Sequence, residues 1–171
     1  MDPQAAIPKK NLTELFATGI PTGLGAGFFP WAPGTMGSFV GVLISFFTSQ
    51  SSLLTRILFW VLLTVTGTWA AKRFDQKNQS SDNQKIVIDE VIGVGIASWT
   101  VGADWKSGLV AFFLFRFFDI LKPPPVRQID KWSKNQTSPM LRAFGVLADD
   151  IVAGFQALSL VILYQWLNSR T

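Results

Sequence analysis

Five apolar stretches dominate the chain: residues 35–49, 57–71, 88–103, 108–121 and 149–167, each closed off by polar or Pro/Gly-rich sequence. None alternates apolar and polar residues at the period of two that a half-buried strand requires, so each reads as a helix. The expected fold is all-α: a compact bundle of about five strongly apolar helices, embedded in a membrane. Charged residues make up only 15% of the chain and the mean hydropathy is +0.32, where a soluble domain carries about 25% charge. The runs are short for spanning. Fifteen helical residues rise about 22 Å against a hydrocarbon core of about 30 Å, so their charged first turns would have to lie at headgroup depth. A soluble bundle with a peripheral membrane attachment is the competing reading. At 171 residues the chain suits one domain, read as a polar N-terminal segment over 1–18 and a single helical domain over 19–171.

The connectors between these runs differ in charge. Residues 72–85 (KRFDQKNQSSDNQK) and 122–142 (KPPPVRQIDKWSKNQTSPMLR) are long, polar and basic, whereas 50–56 and 102–107 are short. Eleven of the fifteen Lys and Arg residues fall on the N-terminal segment and these two long connectors; Arg56, Lys106 and Arg170 fall on the other side. The positive-inside rule then places the N-terminus and both long connectors in the cytoplasm. The N-terminal sequence has no apolar run with a cleavage site, so no signal peptide is expected. The formal charge of +4 is modest, and no nucleic-acid partner is expected.

Against this apolar background stand seven ionisable residues: Asp89, Glu90, Arg116, Asp119, Lys122, Asp149 and Asp150. Burying a charge costs several kcal/mol or more unless it is paired, so such groups mark working sites. Four form two adjacent acidic pairs, Asp89–Glu90 and Asp149–Asp150. Arg116, Asp119 and Lys122, at i, i+3 and i+6, share one helical stripe. The Pro33-Gly34 turn leads into the first apolar run, where Thr35 or Ser38 can cap the helix and exposed N–H groups can meet an anion. In the charge-derived topology these four motifs converge on the cytoplasmic face. Carboxylates without His or Cys suit Mg²⁺, which favours carboxylates, water and phosphate oxygens; Arg and Lys suit a phosphate. Each motif also has a plainer explanation: carboxylates favour helix N-termini, an Arg–Asp pair can be purely structural, and Lys snorkels.

With no cysteine and no histidine, thiolate and imidazole nucleophiles are both excluded. No P-loop and no haloacid-dehalogenase signature is present. GLGAGFF (23–29) lacks the βαβ setting of a dinucleotide site. Any phosphoryl transfer must therefore rest on carboxylates, a metal and water.

The motifs PGTMGS (33–38), DEVIG (89–93), FRFFDILKPPP (115–125) and DDIVAG (149–154), in that order, resemble those of the phosphatidylglycerophosphatase A family from about residue 20 to the end. The resemblance implies a Mg²⁺-dependent, all-helical, multi-pass enzyme of the bacterial inner membrane. Its substrate would be the anionic phospholipid phosphatidylglycerophosphate, dephosphorylated to phosphatidylglycerol at a cytoplasm-facing site. On that basis Asp89, Glu90, Asp149 and Asp150 would hold one or two Mg²⁺ ions. Arg116 and Lys122 would neutralise phosphoryl oxygens, Asp119 would fix Arg116 or join the metal shell, and Gly34, Thr35, Gly37 and Ser38 would hold the rest of the headgroup. The attacking group stays open between water and a carboxylate. A small transporter or a structural membrane subunit would use the same charges for ion passage or helix packing. Oligomeric state is not legible.

Overall fold

The computed structural model describes residues 12–79 and 83–170. Among them are seven helices, one 3₁₀ turn at Ala26–Phe28 and no strand. The helices are α1 (Leu12–Gly19), α2 (Pro33–Thr48), α3 (Leu53–Asn78), α4 (Ile88–Ala97), α5 (Trp105–Leu121), α6 (Val126–Lys134) and α7 (Pro139–Asn168). The all-helical expectation holds, and the boundaries shift for local reasons. α3 starts early because Ser52 caps it, accepting from the Thr55 N–H at 3.2 Å. It then runs through KRFDQKN because nothing breaks it until Gln79 turns left-handed with φ 52°. Much of the expected 72–85 connector is thus helix, with Phe74 buried beneath it. Asp104 caps α5, accepting from the N–H groups of Lys106 and Ser107, each at 3.1 Å.

Two corrections bear on the site. The 122–142 connector contains a short amphipathic helix, α6, with Val126 and Ser133 buried. Helix α7 begins at Pro139, ten residues before the expected start, because Pro is at home in a first turn. Asp149 and Asp150 therefore lie mid-helix, about three turns in, and owe nothing to a helix N-terminus.

Of the expected five or so strongly apolar helices, only some have the length to span. Among the described residues, two stretches are long and apolar enough to cross a membrane, Leu53–Asn78 and Phe144–Asn168. α2 is apolar but has only 16 residues. α4 has 10 residues, a rise of about 15 Å that crosses no bilayer. The apolar run read as one segment from 88 to 103 ends at Ala97, and Gly102, with φ 61°, turns the chain beyond it.

α4 is the centre of the molecule. Ile88, Val91, Ile92, Val94 and Ala97 are all buried, packed among α2, α3, α5 and α7. Val94 and Ala97 share one apolar cluster with Phe115, Ala153 and Val161. Val91 and Ile92 share another with Trp60 and Leu147. α4 and α7 cross at Gly93 and Gly154, where a Cβ at 154 would stand 2.3 Å from the Gly93 carbonyl oxygen. Backbone cannot yield there as a side-chain tip would. Gly154→Ala should therefore force the helices apart and cost about 1–3 kcal/mol, read as a lower unfolding midpoint in detergent; unchanged stability would show that the crossing tolerates the spacing. At the far end Arg56 of α3 donates to the Trp99 carbonyl at 2.5 Å and lies over its ring at 4.4 Å, tying α3 to the end of α4.

Candidate active site

The α4–α7 crossing gathers the acids. Asp89 and Asp150 each sit four residues, about one turn, before the crossing glycine of their own helix, Gly93 and Gly154. A Cβ on Gly93 would lie 2.7 Å from the Asp150 carbonyl oxygen, so the Asp150 backbone packs against α4 one turn beyond Asp89. As a result one carboxylate oxygen from each of Asp89, Glu90 and Asp150 lies within 4.8 Å of the others. The two acidic doublets meet through three of their four members. Asp149 points elsewhere: its Oδ2 accepts from Lys122 Nζ at 2.5 Å.

α2 closes one side of this cluster. A Cβ on Gly34 would stand 2.2 Å from Glu90 Oε1 and 3.3 Å from Arg116 Nη1, so only glycine lets the start of α2 approach the acid and the guanidinium together. Its neighbours have other work. A Cβ on Gly37 would lie 2.7 Å from Val87 Cβ, which makes that position a packing contact with the residue entering α4. Ser38 is buried and its hydroxyl donates to the Gly34 carbonyl at 2.9 Å. Neither Ser38 nor Thr35 caps α2, which starts at Pro33 after an N-cap, Ala32, that makes no side-chain bond. Thr35 is half-buried in the same turn.

The cationic stripe of α5 lies against these acids. Arg116 Nη1 donates to Asp119 Oδ2 at 2.6 Å, with both side chains largely enclosed. Lys122, just past the end of α5 with φ 46°, donates to Asp149 and also to Asp130 Oδ1 of α6 at 2.6 Å. The other oxygen of Asp130 accepts from Lys134 Nζ at 2.9 Å. Asp130 was not among the residues singled out from sequence. Its one signal is the Asp130–Lys134 spacing of i, i+4, easily lost in a stretch that reads as a polar connector.

The electrostatics favour a cation. Burial raises the Asp89 carboxyl above its ordinary value, with hydrogen bonds to Glu90 and the backbone holding it back. Burial and then the Asp89 charge push Glu90 well above the carboxylate range. Lys122 moves the other way: burial lowers it, but its bonds to Asp130 and Asp149 outweigh that and raise it. Asp130 is lowered despite its burial, through Lys122 and Lys134. Asp89 Oδ1, Glu90 Oε2, Asp149 Oδ1 and Arg116 Nε are buried without a hydrogen-bond partner. Unpartnered buried oxygens are costly. An all-oxygen set of this kind fits a hard divalent cation such as Mg²⁺, with Asp89, Glu90 and Asp150 the residues placed to hold it. Arg116 Nε is a donor aimed at no acceptor, as an anion-binding group would be.

Residues 19–165 match the family model described as Phosphatidylglycerophosphatase A. A Bacteroides thetaiotaomicron protein provisionally named phosphatidylinositol-3-phosphatase is 34% identical over 86% of this chain and 92% of its own length. Proteins named Phosphatidylglycerophosphatase A from Haemophilus influenzae and Escherichia coli are 33% and 32% identical. They cover 84% and 83% of this chain and 85% and 78% of their own lengths. No solved structure matches the chain.

Proposed function

The chain belongs to the phosphatidylglycerophosphatase A family, and from that premise we propose that it removes the terminal phosphate of phosphatidylglycerophosphate, giving phosphatidylglycerol and inorganic phosphate in phospholipid biosynthesis. The observation that carries this reading is the single cluster in which Asp89, Glu90 and Asp150 lie within 4.8 Å of one another beside Gly34 and Arg116. A Mg²⁺ ion held by that triad would act as Lewis acid toward the phosphoryl group and acidify a bound water. The protein's own groups do the rest. Arg116, oriented by Asp119, neutralises non-bridging phosphoryl oxygens as charge spreads over them. The Gly34 turn lets the headgroup approach. Attack by water, or by a carboxylate whose acyl-phosphate water then opens, breaks the ester P–O bond, and the departing glycerol oxygen takes up a proton.

A membrane setting completes the reading. α3 and α7 supply two spans by length and composition, and Leu58, Leu62, Val65, Phe155 and Leu163 leave their faces apolar and exposed. α4 and the shorter helices would pack between and beside them, making a multi-pass protein of the cytoplasmic membrane. The basic connectors set the site toward the cytoplasm, at the depth of the lipid headgroups. The Bacteroides relative's name concerns a different lipid headgroup, and what the names share is a phosphomonoester on a membrane phospholipid.

The deciding experiment measures phosphate released by the purified protein from mixed micelles holding phosphatidylglycerophosphate, phosphatidylinositol 3-phosphate or phosphatidic acid. Turnover of phosphatidylglycerophosphate at least about tenfold above the other two is expected. No release from it, with either of the others turned over, would reassign the substrate.

A further inference from the structure

Lys122 combines two unusual features. It is one of three non-glycine residues with positive φ among the described residues, at a helix C-cap where glycine is the usual occupant. A side chain that keeps such a backbone position points to a role for that side chain. Its ammonium also has two carboxylate partners on two different helices: Asp149 Oδ2 of α7 at 2.5 Å and Asp130 Oδ1 of α6 at 2.6 Å. An ammonium has three N–H donors and no acceptor, so these bonds leave one donor free.

Asp130 is itself rigidly held. Lys134 binds its second oxygen one turn later at 2.9 Å, and the Ser133 hydroxyl donates to its carbonyl at 2.9 Å. Ser133 is packed so tightly on α7 that a Cβ at Gly145 would lie 2.1 Å from the serine Cβ. α6 is thereby fixed on α7, with Asp130 presented to Lys122.

We propose that Asp130 is a positioning residue for the substrate's phosphate. It acts through Lys122, holding the ammonium between two helices so that the remaining N–H serves a phosphate oxygen beside the acidic triad. A lysine tethered by Asp149 alone would pivot on one bond, and its long stem carries high rotamer freedom. This inference rests on the phosphatase reading, so its test includes binding of inorganic phosphate, which does not depend on which lipid is the substrate.

The variants are Asp130→Asn, Asp130→Glu and, as a control that removes a charge from the exposed side of α6, Lys131→Ala. Each is assayed in detergent for KM, kcat and the inhibition constant of inorganic phosphate, and for phosphate binding by calorimetry in the presence of Mg²⁺. Asp130→Asn should raise KM and the phosphate constants about tenfold while kcat stays within about threefold. Asp130→Glu should fall between it and wild type, and Lys131→Ala should match wild type. A loss confined to kcat, or wild-type phosphate binding in Asp130→Asn, would overturn the proposal. If circular dichroism shows Asp130→Asn unfolded, wild-type phosphate binding in Asp130→Glu overturns it instead. A wild-type protein that binds phosphate but releases none from phosphatidylglycerophosphate would count against the substrate assignment and leave Asp130 tested by binding alone.

Discussion

Asp89→Asn should abolish phosphate release, by roughly a thousandfold or more, while raising the melting temperature of the metal-free protein. Both effects follow from one arrangement. Asp89, Glu90 and Asp150 crowd their oxygens within 4.8 Å, and Asp89 Oδ1 and Glu90 Oε2 are buried without partners. In the absence of a cation, like charges and desolvation work against this packing. Asparagine keeps the shape of the side chain and removes one charge, so relief of about 1 kcal/mol would appear as a rise of about 2–4 °C in a protein of this size. The same substitution removes a ligand and a charge from the place where phosphoryl chemistry is proposed. Phosphate release and thermal unfolding, measured on one detergent preparation, check both. Near-normal turnover would remove Asp89 from the mechanism, and a lowered melting temperature would show that the triad is structural.

The second large effect concerns the cation. Chelation should silence the protein completely, and added Mg²⁺ should restore it. Binding to the folded form alone stabilises by mass action, so Mg²⁺ should also raise the melting temperature of the wild type, by about as much as the ligand excess over its dissociation constant dictates. That rise should vanish in Asp150→Asn, because one of the three converging carboxylates is gone. Lys134→Ala should keep it, since Lys134 bonds to Asp130, among the described residues, at the site's edge and not to the triad. Full activity in excess chelator would defeat the metal assignment. A Mg²⁺-dependent melting shift that survives loss of both Asp89 and Asp150 would place the ion elsewhere.

Much of this could be read from residue order alone, for reasons that differ by element. The helical class followed from apolar runs without alternation, and these became α2 to α5 and α7. The grouping of the charged candidates followed from the cost of burying charge: Asp89, Glu90 and Asp150 do meet, with Arg116 and Gly34 against them. Other features needed three dimensions. Which member of the 149–150 doublet faces the triad depends on the helix phase set by the Gly93–Gly154 crossing, and neither glycine announces its partner. Asp130 escaped because an exposed, amphipathic nine-residue helix is indistinguishable in composition from a polar loop. Helix length and burial were harder to read, because a buried central helix and an exposed one are equally apolar. α4 has most of its residues buried by protein, whereas α3 buries only Trp60, Gly67, Ala70 and Phe74 of its 26.

That contrast between α3 and α4 divides the labour of the molecule. The proposed chemistry rides on a short axle sheathed largely by its own chain, and in the proposed membrane setting hydrocarbon contact would fall to other elements. A host that alters the thickness or fluidity of its bilayer can therefore retune the outer rows of α3 and α7 residue by residue, and the spacing between Asp89, Glu90 and Asp150 need not register the change.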